Sequence, residues 1–195
     1  MTKPLIALLL TIACAGTFAA DKVPAHPHIE MVTSLGTIKL ELDGRQAPIT
    51  VAHVLKLVDS GFYDGTIFHR VIPGFMAQGG GYTPGLKLKE KPETIVNESG
   101  NGLTNLRGTI AMARTSDPHS ANAQFFINVA DNERLDPSKA AYNGSWGYTV
   151  FGTVIEGMEV VDEIVDSRTG PAGEFSRDVP VVPIIIKKVS RVTYE

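Results

Sequence analysis

The sequence holds one cysteine, Cys14, close to its N-terminus. No intramolecular disulfide can form. Beyond residue 14 there is neither a thiol nucleophile nor a thiolate metal ligand. A domain built from the rest of the 195 residues therefore rests on its core alone, and that length is enough for one. Charge of neither sign dominates: 18 Lys and Arg face 21 Asp and Glu, for a net −3. This argues against a nucleic-acid binder, which needs a basic excess on one face. The five histidines show no metal-ligand spacing. Asp117 and Asp136 pair with no other acid at a telling distance. There is no G-x-S-x-G elbow, and Gly79-Gly80-Gly81 lacks the Lys and helix that would follow in a phosphate-binding loop.

A membrane-spanning run is also missing. Leu5 to Ala13 is apolar but too short to cross a bilayer. Lys3 precedes it and small residues from Ala15 to Ala20 follow, which is the pattern of a secretory signal. Thr17 and Ala19 suit the −3 and −1 positions, so cleavage is expected after Ala19 or Ala20, with residues 1–20 as the signal. Loss of Lys3 would shift the net charge from −3 to −4. The expected location is the periplasm. Lipidation at Cys14 is the alternative, although Thr11 fits poorly where a lipoprotein signal usually has Leu. Residues 21–28 contain two prolines and no pattern, and read as a flexible lead-in to a domain over 29–195.

Within that domain Ile38, Leu40 and Leu42 alternate with Thr37, Lys39 and Glu41, the period of a strand with one buried face. Ile29–Thr33 forms a strand before it, joined through Ser34-Leu35-Gly36. Pro48 opens a helix whose apolar positions are Val51, Val54, Leu55 and Val58, with Gly61 as its stop. Met158–Val165 is a second helix. Further short apolar runs lie at 66–72, 109–113, 124–129, 149–154 and 184–189. Many short strands with two helices indicate an all-β barrel or sandwich with helical caps. The stretches 79–108 and 131–148 have little pattern and read as long loops, a length usually kept for function.

The segment from Phe68 to Gly80 carries chemistry. Arg70 interrupts an apolar run, and in a regular strand Phe68 and Arg70 share a face. A guanidinium among apolar neighbours has a partner, a route to water, or a task. The residue pattern alone leaves an ordinary ion-paired Arg and a functional one equally open. Phe75, Met76 and Gln78 add an aromatic, a soft side chain and an amide, suitable walls for an apolar pocket with a few polar groups.

Phe68-His69-Arg70-Val71-Ile72-Pro73-Gly74-Phe75-Met76-Ala77-Gln78-Gly79-Gly80 resembles the signature of the cyclophilin family of peptidyl-prolyl isomerases. Gly108–Arg114 with Gln124–Ile127 resembles a second motif of that family, and Tyr148–Val154 with Gly157-Met158 a third. The resemblance runs from Ile29 to Val192 and is nearest to the exported bacterial branch. It implies a mainly β fold, a closed eight-stranded antiparallel barrel capped by two α-helices. It implies rotation of Xaa-Pro peptide bonds, with no cofactor and no metal. Arg70 and Gln78 would be catalytic. Phe75, Met76, Phe126 and Leu135 would hold the proline ring. Ala113, Arg114 and Gln124 would line the peptide groove, and Tyr148 would close one side. Expected partners are proline-containing, unfolded or partly folded exported proteins, handled by a monomer. A proline-peptide-binding chaperone module with little turnover is the alternative.

Three positions depart from the best-known eukaryotic pattern. Arg114 replaces an Asn, Tyr148 a frequent His, and Arg134 a Trp that contributes to cyclosporin binding. Weak cyclosporin binding is therefore expected.

Overall fold

A computed structural model describes residues 23–90, 92–137 and 146–193. The signal expected over residues 1–20 lies outside the described residues. The chain forms β1 (His28–Thr33), β2 (Thr37–Leu42), α1 (Pro48–Asp59), β3 (Thr66–Ile72), β4 (Met76–Tyr82), β5 (Thr109–Met112) and β6 (Phe125–Asn128). It continues through a 3-10 turn (Glu133–Leu135), β7 (Val150–Glu156), α2 (Met158–Asp166), β8 (Thr169–Ala172), β9 (Phe175–Pro180) and β10 (Ile184–Val192). Eight strands close a barrel in the order β1-β10-β3-β4-β6-β5-β7-β2, and β2 returns to β1. Every pairing is antiparallel. Closure leaves the barrel no free edge.

Alternation builds the interior. Ile38, Leu40 and Leu42 of β2 point inward and are fully buried, as the period of two requires. They join Met31, Phe68, Ile110, Phe125, Ile127 and Phe151 in one cluster. Both helices lay their apolar stripes on this cluster, α1 through Val51, Val54 and Leu55, and α2 through Val161, Ile164 and Val165. Gly157 starts α2 at φ 86°, and a Cβ there would lie 2.3 Å from the Thr37 carbonyl oxygen. A left-handed turn pressed on neighbouring backbone admits only glycine without rearrangement.

The residues expected as a lead-in are tied to the barrel from Ala25 onward. The carbonyls of Pro27 and Ala25 accept from Leu42 N–H and Gly44 N–H at 2.8 and 2.9 Å. His28 already belongs to β1.

Two elements differ from the sequence expectation. Gly79-Gly80-Gly81, read as the start of a loop, lies inside β4 and is buried. Glycines have no side chains to alternate, so the strand carries no period. The packing needs them bare: at Gly80, φ 82°, a Cβ would sit 2.7 Å from the Phe125 ring and 2.9 Å from Tyr63. A second hairpin, β8 with β9, lies outside the barrel sheet and packs on β3. Thr169-Gly170-Pro171-Ala172 carries no strand signal, and tertiary contact makes it one.

The N-terminus of α1 has an unusual cap. Its N-cap residue, Ala47, offers no side-chain acceptor. Glu98, distant in sequence, accepts from Ile49 N–H at 3.1 Å, Thr50 N–H at 2.8 Å and the Thr50 hydroxyl at 2.7 Å. A carboxylate thus satisfies orphan donors at the positive end of the helix. The 79–108 stretch therefore contains structural support for the barrel. Replacing Glu98 by Ala should lower unfolding free energy by about 1–2 kcal/mol, the usual value of a lost helix cap. Urea denaturation would measure it, and an unchanged midpoint would contradict the capping role.

Candidate active site

The outer face of β3, β4, β6 and β5 carries a second, smaller cluster. Met76, Ala111, Phe126 and Val150 are buried there, with Ile72, Phe75, Leu103, Ala113, Leu135 and Tyr148 packed against them. The strands are shared with the interior: Phe125 and Ile127 face in, Phe126 faces out; Ala77 faces in, Met76 faces out.

Arg70 reaches this outer face through a β-bulge. Phe68 pairs with Gly79 and Arg70 with Gln78, so His69 is the extra residue. Phe68 and Val71 both belong to the interior cluster, an odd separation that regular alternation forbids. The expectation that Phe68 and Arg70 share a face is therefore overturned. The bulge turns Phe68 inward while Arg70 lines an outer pocket.

That pocket has a volume of about 170 Å³. Phe75, Met76, Phe126 and Leu135 supply its apolar walls, and Arg70, Gln78, Ala113, Arg114 and Tyr148 complete it. Phe126 and Tyr148 meet edge to face, with centroids 5.5 Å apart. Gln124, expected in the peptide groove, lies outside this pocket, in the adjoining depression that Gln78 and Arg114 also line. It contacts the site through Gln78. The Gln78 amide donates to Gln124 Oε1 at 3.1 Å, and Arg70 Nη1 donates to Gln78 Oε1 at 3.4 Å. This relay aims the guanidinium from one side. Asp178 of β9 stands on another, its Oδ2 3.9 Å from Arg70 Nε.

His69, next to Arg70, is buried between rings. Tyr82 lies 4.6 Å and Phe175 5.5 Å away by centroid. Its Nδ1 has no hydrogen-bond partner among the described residues. Burial, then the Arg70 charge, pushes the imidazole down to about 4. His69 is therefore neutral across the working range, and Arg70 stays the cation of its strand.

Polar networks hold the two walls, and the sequence reading did not find them. Asn132 donates to the Phe75 carbonyl at 2.9 Å and to Asn128 Oδ1 at 2.7 Å. Asn128 donates to Asn105 Oδ1 at 3.2 Å and Asn105 to Asp136 at 2.8 Å. The network fixes the 3-10 turn that presents Leu135, and Tyr148 N–H donates to the Leu135 carbonyl at 2.9 Å. On the other side Asn97 donates to the Gly147 carbonyl at 3.1 Å and Gly147 N–H to Ser99 Oγ at 3.1 Å. Asn97, Asn105, Asn128 and Asn132 are buried, and buried amides with partners hold loops in one conformation. Scattered asparagines, three of them in the unpatterned stretches, were the only available signal.

The three departures occupy definite places. Arg114 stacks on Tyr148, 4.6 Å from ring centre, and donates to the carbonyls of Gly147, Thr115 and Trp146. Arg134 lies over Phe75 at 4.4 Å. Trp146, near Arg134 in sequence, packs on His119 instead.

Because the folded His69 titrates near 4, below its unfolded value near 6.5, the unfolded chain binds the extra proton between these values. The His69 contribution to stability is complete above pH 6.5 and shrinks as pH falls toward 4. His69→Phe, which keeps a ring between Tyr82 and Phe175, should flatten the fall of melting temperature over that window. An equally steep fall in the variant would refute the assignment.

The comparisons agree with this geometry. The family model for cyclophilin type peptidyl-prolyl cis-trans isomerases matches residues 28–191. Peptidyl-prolyl cis-trans isomerase A of Dickeya dadantii is 47% identical over 188 residues, covering 96% of each chain. Peptidyl-prolyl cis-trans isomerase B of Escherichia coli is 52% identical over 158 residues, 81% of this chain and 95% of that one. Among solved structures, a cyclophilin type isomerase of Cryptosporidium parvum superposes with a TM-score of 0.72 at 27% identity, covering 87% of this chain and 99% of its own. The same protein in the presence of the dipeptide Ala-Pro gives 0.71 at 28% identity, covering 86% and 99%. With its closed eight-stranded barrel and two helices, this chain belongs to the cyclophilin type peptidyl-prolyl cis-trans isomerase family and has the activity for which that family is named.

Proposed function

We propose that the protein catalyses prolyl isomerisation in exported proteins, with Arg70 acting on the twisted peptide bond. The observation that carries this reading is a guanidinium lining the same small pocket as Phe75, Met76, Phe126 and Leu135. Rotation about a peptide bond breaks the resonance between carbonyl and nitrogen, a barrier of ~18–20 kcal/mol. As the bond twists, the proline nitrogen becomes pyramidal and regains a lone pair. A donor aimed at that lone pair stabilises the twisted form more than either planar form, which is the requirement for catalysis. No proton is transferred and no covalent bond is made to the enzyme.

In this reading Phe75, Met76, Phe126 and Leu135 hold the proline ring, and Tyr148 closes one side. Gln78 and Gln124 position Arg70, and Gln78 also meets the substrate carbonyl. Ala113 and Arg114 lie along the peptide. Fixing the chain on both flanks leaves the prolyl bond as the one free to turn. Buried Asn networks behind the walls support this role, since a pocket works only if its geometry is held.

Export is supported by Lys3, the apolar run from Leu5 to Ala13 and the small residues at Thr17 and Ala19. The clients are then proline-containing proteins still folding in the periplasm, where slow isomerisation limits folding, and the enzyme acts as a monomer. Mass spectrometry of the protein from the periplasmic fraction should find an N-terminus at Ala20 or Asp21; a retained Met1 or a lipid on Cys14 would overturn this part.

Arg70→Ala should lower kcat/KM on an Ala-Pro peptide by about 100-fold or more, the scale of losing one preorganised donor, while peptide binding persists. Arg70→Lys should not restore it, because an ammonium lacks the planar fork. Turnover within a few-fold of wild type in Arg70→Ala would refute the mechanism. Cyclosporin should inhibit weakly, since Arg134 occupies the Phe75 ring face where a Trp is missing; nanomolar inhibition would contradict that.

A further inference from the structure

Resting on the isomerase reading, we propose that the enzyme selects Xaa-Pro bonds flanked by acidic residues, with Arg134 and Arg114 as specificity residues. Both stand on aromatic rings that line the pocket: Arg134 over Phe75 at 4.4 Å and Arg114 over Tyr148 at 4.6 Å. Stacking fixes a guanidinium in place and leaves its edge free.

Their charges are not cancelled locally. Among the described residues neither has a carboxylate in ion-pair contact, whereas Arg107 and Arg191 elsewhere pair with Asp162 and Asp59. Arg114 spends its donors on three carbonyls, which orient the group but carry no net charge. The side chain of Arg134, 4.4 Å above the Phe75 ring centre, makes no hydrogen bond among the described residues, which leaves its N–H donors open to a ligand. Carboxylates match a guanidinium fork in shape and charge. Arg70 adds a third cation, and the one acid that pairs with it among the described residues, Asp178, also lies 3.5 Å from Arg177. Exposed Glu133, beside Arg134 in the 3-10 turn, makes no ion pair with it among the described residues. The chain as a whole is net −3, so the positive field is local to the pocket.

An Asp or Glu side chain next to a proline seated between Phe75 and Leu135 enters this field. A Lys there is repelled. Both planar and twisted states feel the charge alike, so the preference acts on KM more than on kcat.

The test is a peptide series with Glu, Ala or Lys immediately before the proline, and a second series with the change immediately after it. Cis–trans exchange is read by NMR, which needs no coupling protease. In at least one series at low salt, kcat/KM should be roughly three- to tenfold higher for Glu than for Lys, the scale of unit charges several Å apart in a wet site. The ratio should collapse toward one at 1 M salt, where the screening length is about 3 Å. Arg134→Gln should narrow it and Arg134→Glu should reverse it. Equal rates for Glu and Lys in both wild-type series at low salt would overturn the proposal, as would a ratio unmoved by Arg134→Glu. The Ala peptide separates the two levels: if it is turned over normally while charge has no effect, only the selectivity fails; if it is not turned over at all, the isomerase reading fails with it.

Discussion

At His69 the alternation of β3 slips by one residue, and the site depends on that slip. A regular strand would send Arg70 to the side of Phe68, into the packed barrel, where an unpaired guanidinium is strongly disfavoured. The bulge lets Phe68 and Val71 both fill the interior while Arg70 emerges on the outer face beside Gln78. The extra residue must then be housed, and β8–β9 does this by placing Phe175 against the His69 ring. A small hairpin outside the barrel thus completes the backing of the strand that carries Arg70.

The same strands serve two cores. Phe125 and Ile127 fill the barrel while Phe126, between them, forms the pocket wall. Rigidity of the interior is thereby transmitted to the pocket without added structure, because neighbouring residues of one strand cannot move independently. The remaining walls come from loops, which a barrel does not hold by itself. Buried asparagines replace ladder hydrogen bonds there, tying the Phe75 carbonyl, the 3-10 turn and Tyr148 into one frame. Both long unpatterned stretches contribute to this support: Asn97, Glu98 and Asn105 come from one, Asn132 and Asp136 from the other.

The electrostatics divide into two tasks. Burial keeps His69 neutral, so no imidazolium stands beside Arg70 in β3. Around the pocket, Arg114 and Arg134 lie over aromatic rings and, among the described residues, have no carboxylate partner. In the proposed mechanism the first arrangement serves the bond that turns, and in the proposed selectivity the second serves the choice of peptide.

Clear alternation marked the strands, helical spacing marked both helices, and the family resemblance named the residues of the pocket wall. Ile38-Leu40-Leu42 and the α1 stripe report their own burial through period. Phe75, Met76, Gln78 and Phe126 stood in ordered blocks that resemble one family. The face of Arg70 was set by strand pairing, because a bulge is an event of pairing and leaves no mark on one strand's pattern. The same holds for β4, whose glycines are silent in period yet required by the Phe125 and Tyr63 rings, and for Gln124, which meets the site through Gln78. Helix capping by Glu98 and the asparagine frame also lay beyond the linear pattern, since most of their partners are far away in sequence. Local periodicity encodes which side chains are buried; which of them meet, and on which side of the sheet, is encoded in contacts distant along the chain.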